Sequence, residues 1–421
     1  MRRLLTAVVL VLVVAAPAGA QFRQYFAPGS LGETEDPLRT QIDAAMEQAR
    51  WHLGPIRLQP WIGIRNIGYI DNVYGTEKDK VSDFTVSAGA GLRAYMPLGA
   101  KTVVFARALP EYVYWKKLEN RRVWAGRYSA GFYVFFNRLT AEVWSDRTEQ
   151  QTVLNAELET PITNRLDGVN ASLELRLLRR LSLVAQGARN KVRISSSEVA
   201  GTLGGYLKAL ERDEDVVRAG LRYSFSDSLS LTVGGHRSSV DFLDRSYSRS
   251  NNGDGLYGAL SWKGQRLSAS ATVSRYAVTP RTGSQFVKFE GTTGQASLGC
   301  RLTPKVGLQG YAGRTLVYST YAVAPYYTQN VVGAVLSFPV GWRIGARLFG
   351  ERGTFDYPVV TGSSVQQNSH NIGLGLTGQV FRSTSLGVTV TKQKVNYSVG
   401  SREVWRVQTS LGFAGTGLGW W

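Results

Sequence analysis

Side chains able to do chemistry are few in this chain and widely scattered. The three histidines, His52, His236 and His370, lack the close spacing that brings ligands onto one metal ion. The single cysteine, Cys300, shares an apolar phase with Ala296, Leu298 and Leu302, so no disulfide or redox motif is available. Gly234-Gly235-His236-Arg237-Ser238 sets a histidine near a serine, but a hydrolytic triad also needs a carboxylate or amide and an oxyanion donor. The glycine pairs Gly204-Gly205 and Gly373/Gly375 lack the strand, turn and helix setting of a phosphate loop. The residues read as those of a protein that is not an enzyme and that needs no cofactor and no metal.

Arginine is what remains. The 421 residues hold 49 Lys plus Arg against 31 Asp plus Glu, a formal charge of +18, or +16 without Arg2 and Arg3. Nucleic acid is a poor partner for this charge, because no basic run extends beyond pairs and the chain carries an export signal. Arg93, Arg127, Arg176, Arg218, Arg222, Arg301, Arg343 and Arg347 instead fall on the polar phase of alternating segments, with Glu142 and Glu174 as the clear acidic counterparts. Arginines ranged along a pore bias it toward anions. Paired across a lumen, they would merely fill it.

The elements that must position them show a period of two. In FTVSAGAGLRAYMPLGAKTVVFARA, residues 84–108, Phe84, Val86, Ala88, Ala90, Leu92, Ala94 and Met96 alternate with Thr85, Ser87, Gly89, Gly91, Arg93 and Tyr95. Side chains of a strand point alternately to its two faces, so one face meets an apolar phase and the other a polar one. The pattern recurs at 169–177, 217–225, 267–273, 306–316, 342–348 and 372–380. Tight turns near Gly99, Asn137, Arg179, Asp227, Gly264, Pro304, Val340 and Ser383 return roughly every 40 residues and alternate with longer polar loops. Short turns on one side and long loops on the other describe an all-β, transmembrane, antiparallel up-and-down β-barrel in the outer membrane, of about 18 strands, or 16 as the next count. Aromatics including Tyr112, Tyr114, Trp115, Trp124, Phe132, Tyr133, Tyr276 and Tyr318 collect near strand ends, where they would meet lipid headgroups.

Three segments stand apart from the alternation. Arg2-Arg3, the apolar run Leu4 to Ala16 and Ala18-Gly19-Ala20 read as a secretory signal over residues 1–20. Residues 21–56 form an N-terminal periplasmic segment, in which Asp36-Pro37 caps a short amphipathic helix carrying Leu38, Ile42, Ala45, Met46 and Ala49 on one face. That helix is expected as a lid or docking element at the periplasmic mouth, with entry into the lumen as the alternative. The barrel then occupies 57–421. Its last strand, Trp405 to Phe413, precedes a glycine-rich end at Trp421, and either aromatic could serve as the signal read by the barrel assembly machinery.

The stretch GPIRLQPWIGIRNIGYIDNVYG, residues 54–75, with YMPLGAKTVVFA further on, resembles the first strands of outer-membrane β-barrel porin families of Gram-negative bacteria, some of which accompany exopolysaccharide export. The resemblance implies an outer-membrane location, among lipid and lipopolysaccharide, and transport without a chemical step. The expected function is a porin-like channel for small polar or anionic solutes or an exported polysaccharide. The alternative is a non-conducting structural or surface-interaction barrel that presents its extracellular loops.

Overall fold

The computed structural model describes residues 38–47, 49, 51–154, 157, 161–195, 207–245, 248–284, 286–321, 324–341, 343–358, 366–381, 384–396 and 400–413. The expected signal sequence and Trp421 lie outside the described residues. After helix α1 (Leu38–Glu47) and a short strand β1 (Trp51–Leu53), the chain forms β2 (Ile56–Ile70), β3 (Asp83–Leu98), β4 (Thr102–Trp115), β5 (Val123–Phe135), β6 (Leu139–Thr152) and β7 (Ile162–Arg176). There follow β8 (Leu181–Ile194), β9 (Arg212–Ser224), β10 (Leu229–Phe242), β11 (Asn251–Lys263), β12 (Leu267–Pro280) and β13 (Phe289–Arg301). The last six are β14 (Gly307–Tyr318), β15 (Tyr326–Pro339), β16 (Ile344–Asp356), β17 (Gln366–Phe381), β18 (Thr384–Asn396) and β19 (Ser401–Phe413).

Each strand from β2 onward pairs antiparallel with its neighbour, and β19 returns to pair with β2, Val407 opposite Tyr69 and Phe413 opposite Ile62. Closure leaves no exposed edge, which is the condition for placing backbone in lipid. Eighteen strands therefore make the wall, as the turn spacing implies. Strand lengths of 12 to 16 residues exceed the roughly 9 to 11 needed to cross a bilayer obliquely. The tight turns share one rim, taken as periplasmic, and the long loops share the other. At the first of these turns Gly99 takes φ +69°, a left-handed conformation in which glycine carries no Cβ penalty.

The wall is apolar outside and polar within. Val217, Leu256, Val332 and Ile372 are 61%, 73%, 58% and 60% exposed, whereas Thr85, Glu214 and Ser274 are nearly inaccessible. A protein core would show the reverse, so the outward apolar phase is the surface that meets lipid. Not every aromatic joins it: Trp124 and Phe132 point outward, but Trp115, Tyr133, Tyr276 and Tyr318 are buried. These four correct the expectation of a headgroup contact, because the inner wall also has apolar side chains to pack.

Two elements leave the wall. Ile42 and Met46 of α1 pack on Val103, Phe105, Tyr133 and Phe135 of β4 and β5. Since these four alternate with outward Val104, Phe132 and Val134, the helix sits on the inner wall at the periplasmic end rather than on the rim as a lid. Arg57 Nη1 donates to the Met46 carbonyl over 3.2 Å and anchors it there. At the other rim β14 pairs with β13 only as far as Arg314 opposite Gly294, whose φ of +155° marks the point of separation. Above it the β14–β15 hairpin folds inward.

Candidate functional site

The inner wall carries its polar side chains in rows set by strand register. Opposite one another across β3 to β6 stand Arg93, Arg107, Ser129 and Asp146. A second row runs Tyr133, Glu142, Ser172, Gln186, Arg218 and His236 from β5 to β10. Strand alternation thus converts widely separated residues into a contiguous surface.

Several charges in these rows are answered locally. Arg222 Nη1 meets Glu174 Oε2 at 2.6 Å across the intervening β8, and Arg127 Nη2 donates to Gln150 Oε1 over 3.2 Å. Ser172 Oγ donates to Glu142 Oε1 over 2.5 Å, and Asn170 Nδ2 to Asp146 Oδ1 over 2.7 Å. On the opposite wall Glu351 accepts from Tyr311 Oη at 2.9 Å and from Asn371 Nδ2 at 3.0 Å, while Arg406 Nη1 donates to Gln393 Oε1 at 2.9 Å.

Arg93 and Arg107 are different. They are direct cross-strand partners on the inner face, and among the described residues the buried Nε of each has no hydrogen-bond partner. Like charges directly opposite repel, so an anion between them would relieve both the repulsion and the unmet donors. Tyr95 and Phe105, the next inward pair toward the periplasm, border the packing around α1.

Of the remaining expected positions, Arg218 is buried and Arg347 half-buried on the inner wall. Arg176 and Arg301 end their strands, exposed at the periplasmic rim. Arg343 precedes β16 and lies in the turn, so it corrects the expectation that it shares a strand face with Arg347. The rows also contain Arg107, Glu111, Asp146, Glu214 and Glu351, which sequence reasoning missed. In β4 the two phases are nearly equally apolar, Val103, Phe105, Leu109 and Val113 against Val104, Ala106 and Ala108, so alternation alone gave Arg107 no side.

The extracellular half of the lumen is occupied by loops. Tyr318 packs edge-on against Phe242 of β10 at 4.9 Å and its hydroxyl accepts from Asn251 Nδ2 at 3.0 Å. Four strand intervals along the wall amount to about 19 Å, so the contact requires the hairpin to project across the interior. One face of the hairpin joins Val240, Phe242, Tyr276, Val278 and Phe289, and the other joins Phe355, Tyr357 and Val395. Leu207 and Leu210, before β9, enter the first cluster, so this part of the expected surface loop turns inward.

Glu157, between β6 and β7, joins these parts. Its carboxylate accepts from Ser319 Oγ at 2.6 Å and from the hydroxyl and backbone N–H of Thr320, and Arg402 Nη1 of β19 donates to its carbonyl at 3.0 Å. Arg249 donates to the carbonyls of Ser319 and Tyr321. Burial pushes the Glu157 carboxyl above the usual glutamate range, against the lowering effect of its hydrogen bonds from Ser319 and Thr320. Tyr357 shifts upward by burial first and by the nearby Glu157 second. A cavity of about 270 Å³ opens against the wall, lined by strand residues including Ile70, Thr85, Val113, Trp115, Gln151 and Ser410 and by Pro161 of the loop before β7.

The closed antiparallel barrel has counterparts among solved structures. Acinetobacter baumannii OccAB3 superposes with a TM-score of 0.51 at 10% identity, covering 85% of this chain and 99% of that one. Pseudomonas aeruginosa OpdO gives 0.53 at 11%, covering 85% and 96%. The chain has the fold of an outer-membrane porin. Pseudomonas aeruginosa OccK2 (OpdF), solved in complex with glucuronate, gives 0.52 at 12% identity, covering 85% and 98%. No protein-family profile matches the chain, and no curated protein does. The fold and the apolar exterior of the closed wall agree with an outer-membrane location.

Proposed function

We propose that the protein is a narrow channel for small anionic solutes, with carboxylates as the class of cargo. The observation that carries this reading is the Arg93 and Arg107 pair, two guanidinium groups side by side on the inner wall with donors left unmet. A carboxylate fits a guanidinium through paired N–H···O bonds, and a second guanidinium adds charge without a new desolvation demand on the wall. Glucuronate in OccK2 is a carboxylate of suitable size and supports the choice. Arg127, Arg218 and Arg222 continue the basic wall, though Glu174 offsets Arg222.

The test is reversal potential of the purified protein in planar bilayers under a salt gradient. Anion preference is expected, falling when Arg93 and Arg107 are both changed to Gln, with the difference shrinking as salt screens the field. Conduction with unchanged selectivity at low salt would remove these arginines from the path.

A second reading has its own support. The interlocked extracellular loops around Glu157 favour a barrel that is shut at rest and presents a compact outer surface. A correctly folded protein that stays silent in bilayers, including after loop variants, would favour this reading over the channel.

A further inference from the structure

Aromatic side chains on the outer face are distributed differently at the two rims. Near the periplasmic rim they are spread around the barrel: Phe132 and Phe136 at the end of β5, Tyr223 and Phe225 at the end of β9, Trp262 on the outward phase of β11 and Phe338 on that of β15. That is the form of a girdle, which meets headgroups on every side. In the extracellular half they are not spread. Trp405 of β19, Tyr69 of β2, Phe84 of β3, Tyr112 and Tyr114 of β4, and Trp124 and Tyr128 of β5 occupy five adjacent strands and are 36% to 68% exposed. Among the described residues, no outward wall position of β6 to β18 in this half carries an aromatic ring. Tyr318 and Tyr326, on the hairpin that folds inward, are buried.

Register joins the seven into one face. Tyr69 is the partner of Phe84, and Tyr112 of Trp124, whose rings stand 5.3 Å apart. Arg122 lies over Tyr114 at 4.5 Å and Lys392 over Trp405 at 4.9 Å, so cations border the face rather than interrupt it. Beneath it Ala94, Ala106 and Ala130 are register partners in one outward row. Elsewhere the wall presents larger side chains to lipid, such as Leu221, Val233, Leu256, Val332 and Leu374. Lipid tails are as apolar as leucine, so a leucine gains little by leaving them, whereas small residues let two walls approach closely. Exposed Trp and Tyr are the side chains that dominate contacts between proteins.

We propose that the outer face of β19 and β2 to β5 is the contact between two copies of this chain, related by a two-fold axis along the membrane normal. Both copies stand with their tight turns on the periplasmic side, which restricts the symmetry to rotation about that normal. A ring of three or more copies needs two different faces on every barrel. The extracellular half holds one aromatic face, so that face meets itself. Aromatic side chains bury about 150–250 Å² each when covered whole, and seven at these exposures offer on the order of 600 Å². With the alanine row beneath, this approaches the roughly 800 Å² that each partner gives to a standard interface. Trp124, the most exposed of the seven, is the anchor. The contact lies wholly on the exterior and is independent of conduction.

The experiment reads oligomeric state by native mass spectrometry of the full barrel released from mild detergent, together with cross-linking in intact outer membranes. The wild-type protein should be dimeric. Tyr112→Leu, Trp124→Leu and Tyr128→Leu combined keep the face apolar and should weaken the dimer at least tenfold, with heat-modifiable gel mobility unchanged. Leu256→Ala with Val332→Ala, elsewhere on the wall, should leave the dimer intact. In a Cys300→Ser background, which removes the one native thiol, Trp124→Cys should form an intermolecular disulfide on oxidation and Val332→Cys should not. If the triple variant does not fold, Trp124→Leu alone should weaken the dimer. A wild type that is monomeric by both measures, a trimer or larger ring, an undiminished dimer in folded variants, or cross-linking at Val332 equal to that at Trp124 would overturn the assignment.

Discussion

At the scale of the residue, Arg222 and Glu174 show how a lumen charge can be present and yet silent. The pair is 39% and 38% exposed, so its worth to stability is that of a surface ion pair, about 0–1 kcal/mol. Its worth to an ion in transit is larger, because the two charges cancel at close range. Glu174→Gln is therefore expected to raise anion preference with little change in thermal stability, and Arg222→Gln to lower it, both read as reversal potentials at low salt. Equal shifts in the same direction would mean that neither side chain faces the permeating ion. Arg93 was legible from alternation in β3, but its partner Arg107 was not, because both phases of β4 are apolar and α1 and the lumen packing supply the reason only in three dimensions.

At the scale of the element, closure of the extracellular half rests on segments distant in sequence. Glu157→Ala removes the acceptor shared by Ser319 and Thr320 and leaves buried donors unmet, a cost of about 1–3 kcal/mol to the closed arrangement. Mean single-channel conductance should rise accordingly. Acidity should act in the opposite sense. A carboxyl whose pKa is raised in the closed state binds its proton more tightly there than when exposed, so closure is strongest at low pH. It weakens as pH rises from the usual glutamate range through the raised value. Arg249, Arg402, Tyr321 and Tyr357 are the other charged and titratable groups that surround Glu157. Conductance that is flat with pH in the wild type, or equally pH-dependent in Glu157→Ala, would remove Glu157 as the acid-sensitive group.

At the scale of the whole molecule, the two faces of one sheet answer to two solvents. Leu221, 49% exposed on the outer face of β9, should tolerate arginine poorly, at a cost of about 2–4 kcal/mol near the bilayer midplane. Thr389→Arg, on the inner face of β18, should assemble normally. Heat-modifiable gel mobility and recovery in the membrane fraction measure both, and equal tolerance would contradict the assignment of faces.

Alternation is a local property, and it alone determined that this chain forms strands, which phase of most strands is apolar and where the tight turns fall, while leaving 18 and 16 strands both open until the pairing of β19 with β2 fixed the count. Each of those facts depends on residues within one hairpin. Tertiary structure decided what hairpins cannot know about each other. Glu157 and Ser319 belong to loops about eight strand intervals apart on the wall, roughly 38 Å around it, and meet only because both fold through the interior. The amphipathic pattern of α1 announced a buried face but not its partner, since Val103 and Tyr133 look as suited to lipid as to a helix until closure puts them inside. The same holds for Tyr69, Phe84, Tyr112 and Trp124: their types were visible in the chain, but their gathering on one face is a matter of register across four strands, and register is set where the strands meet.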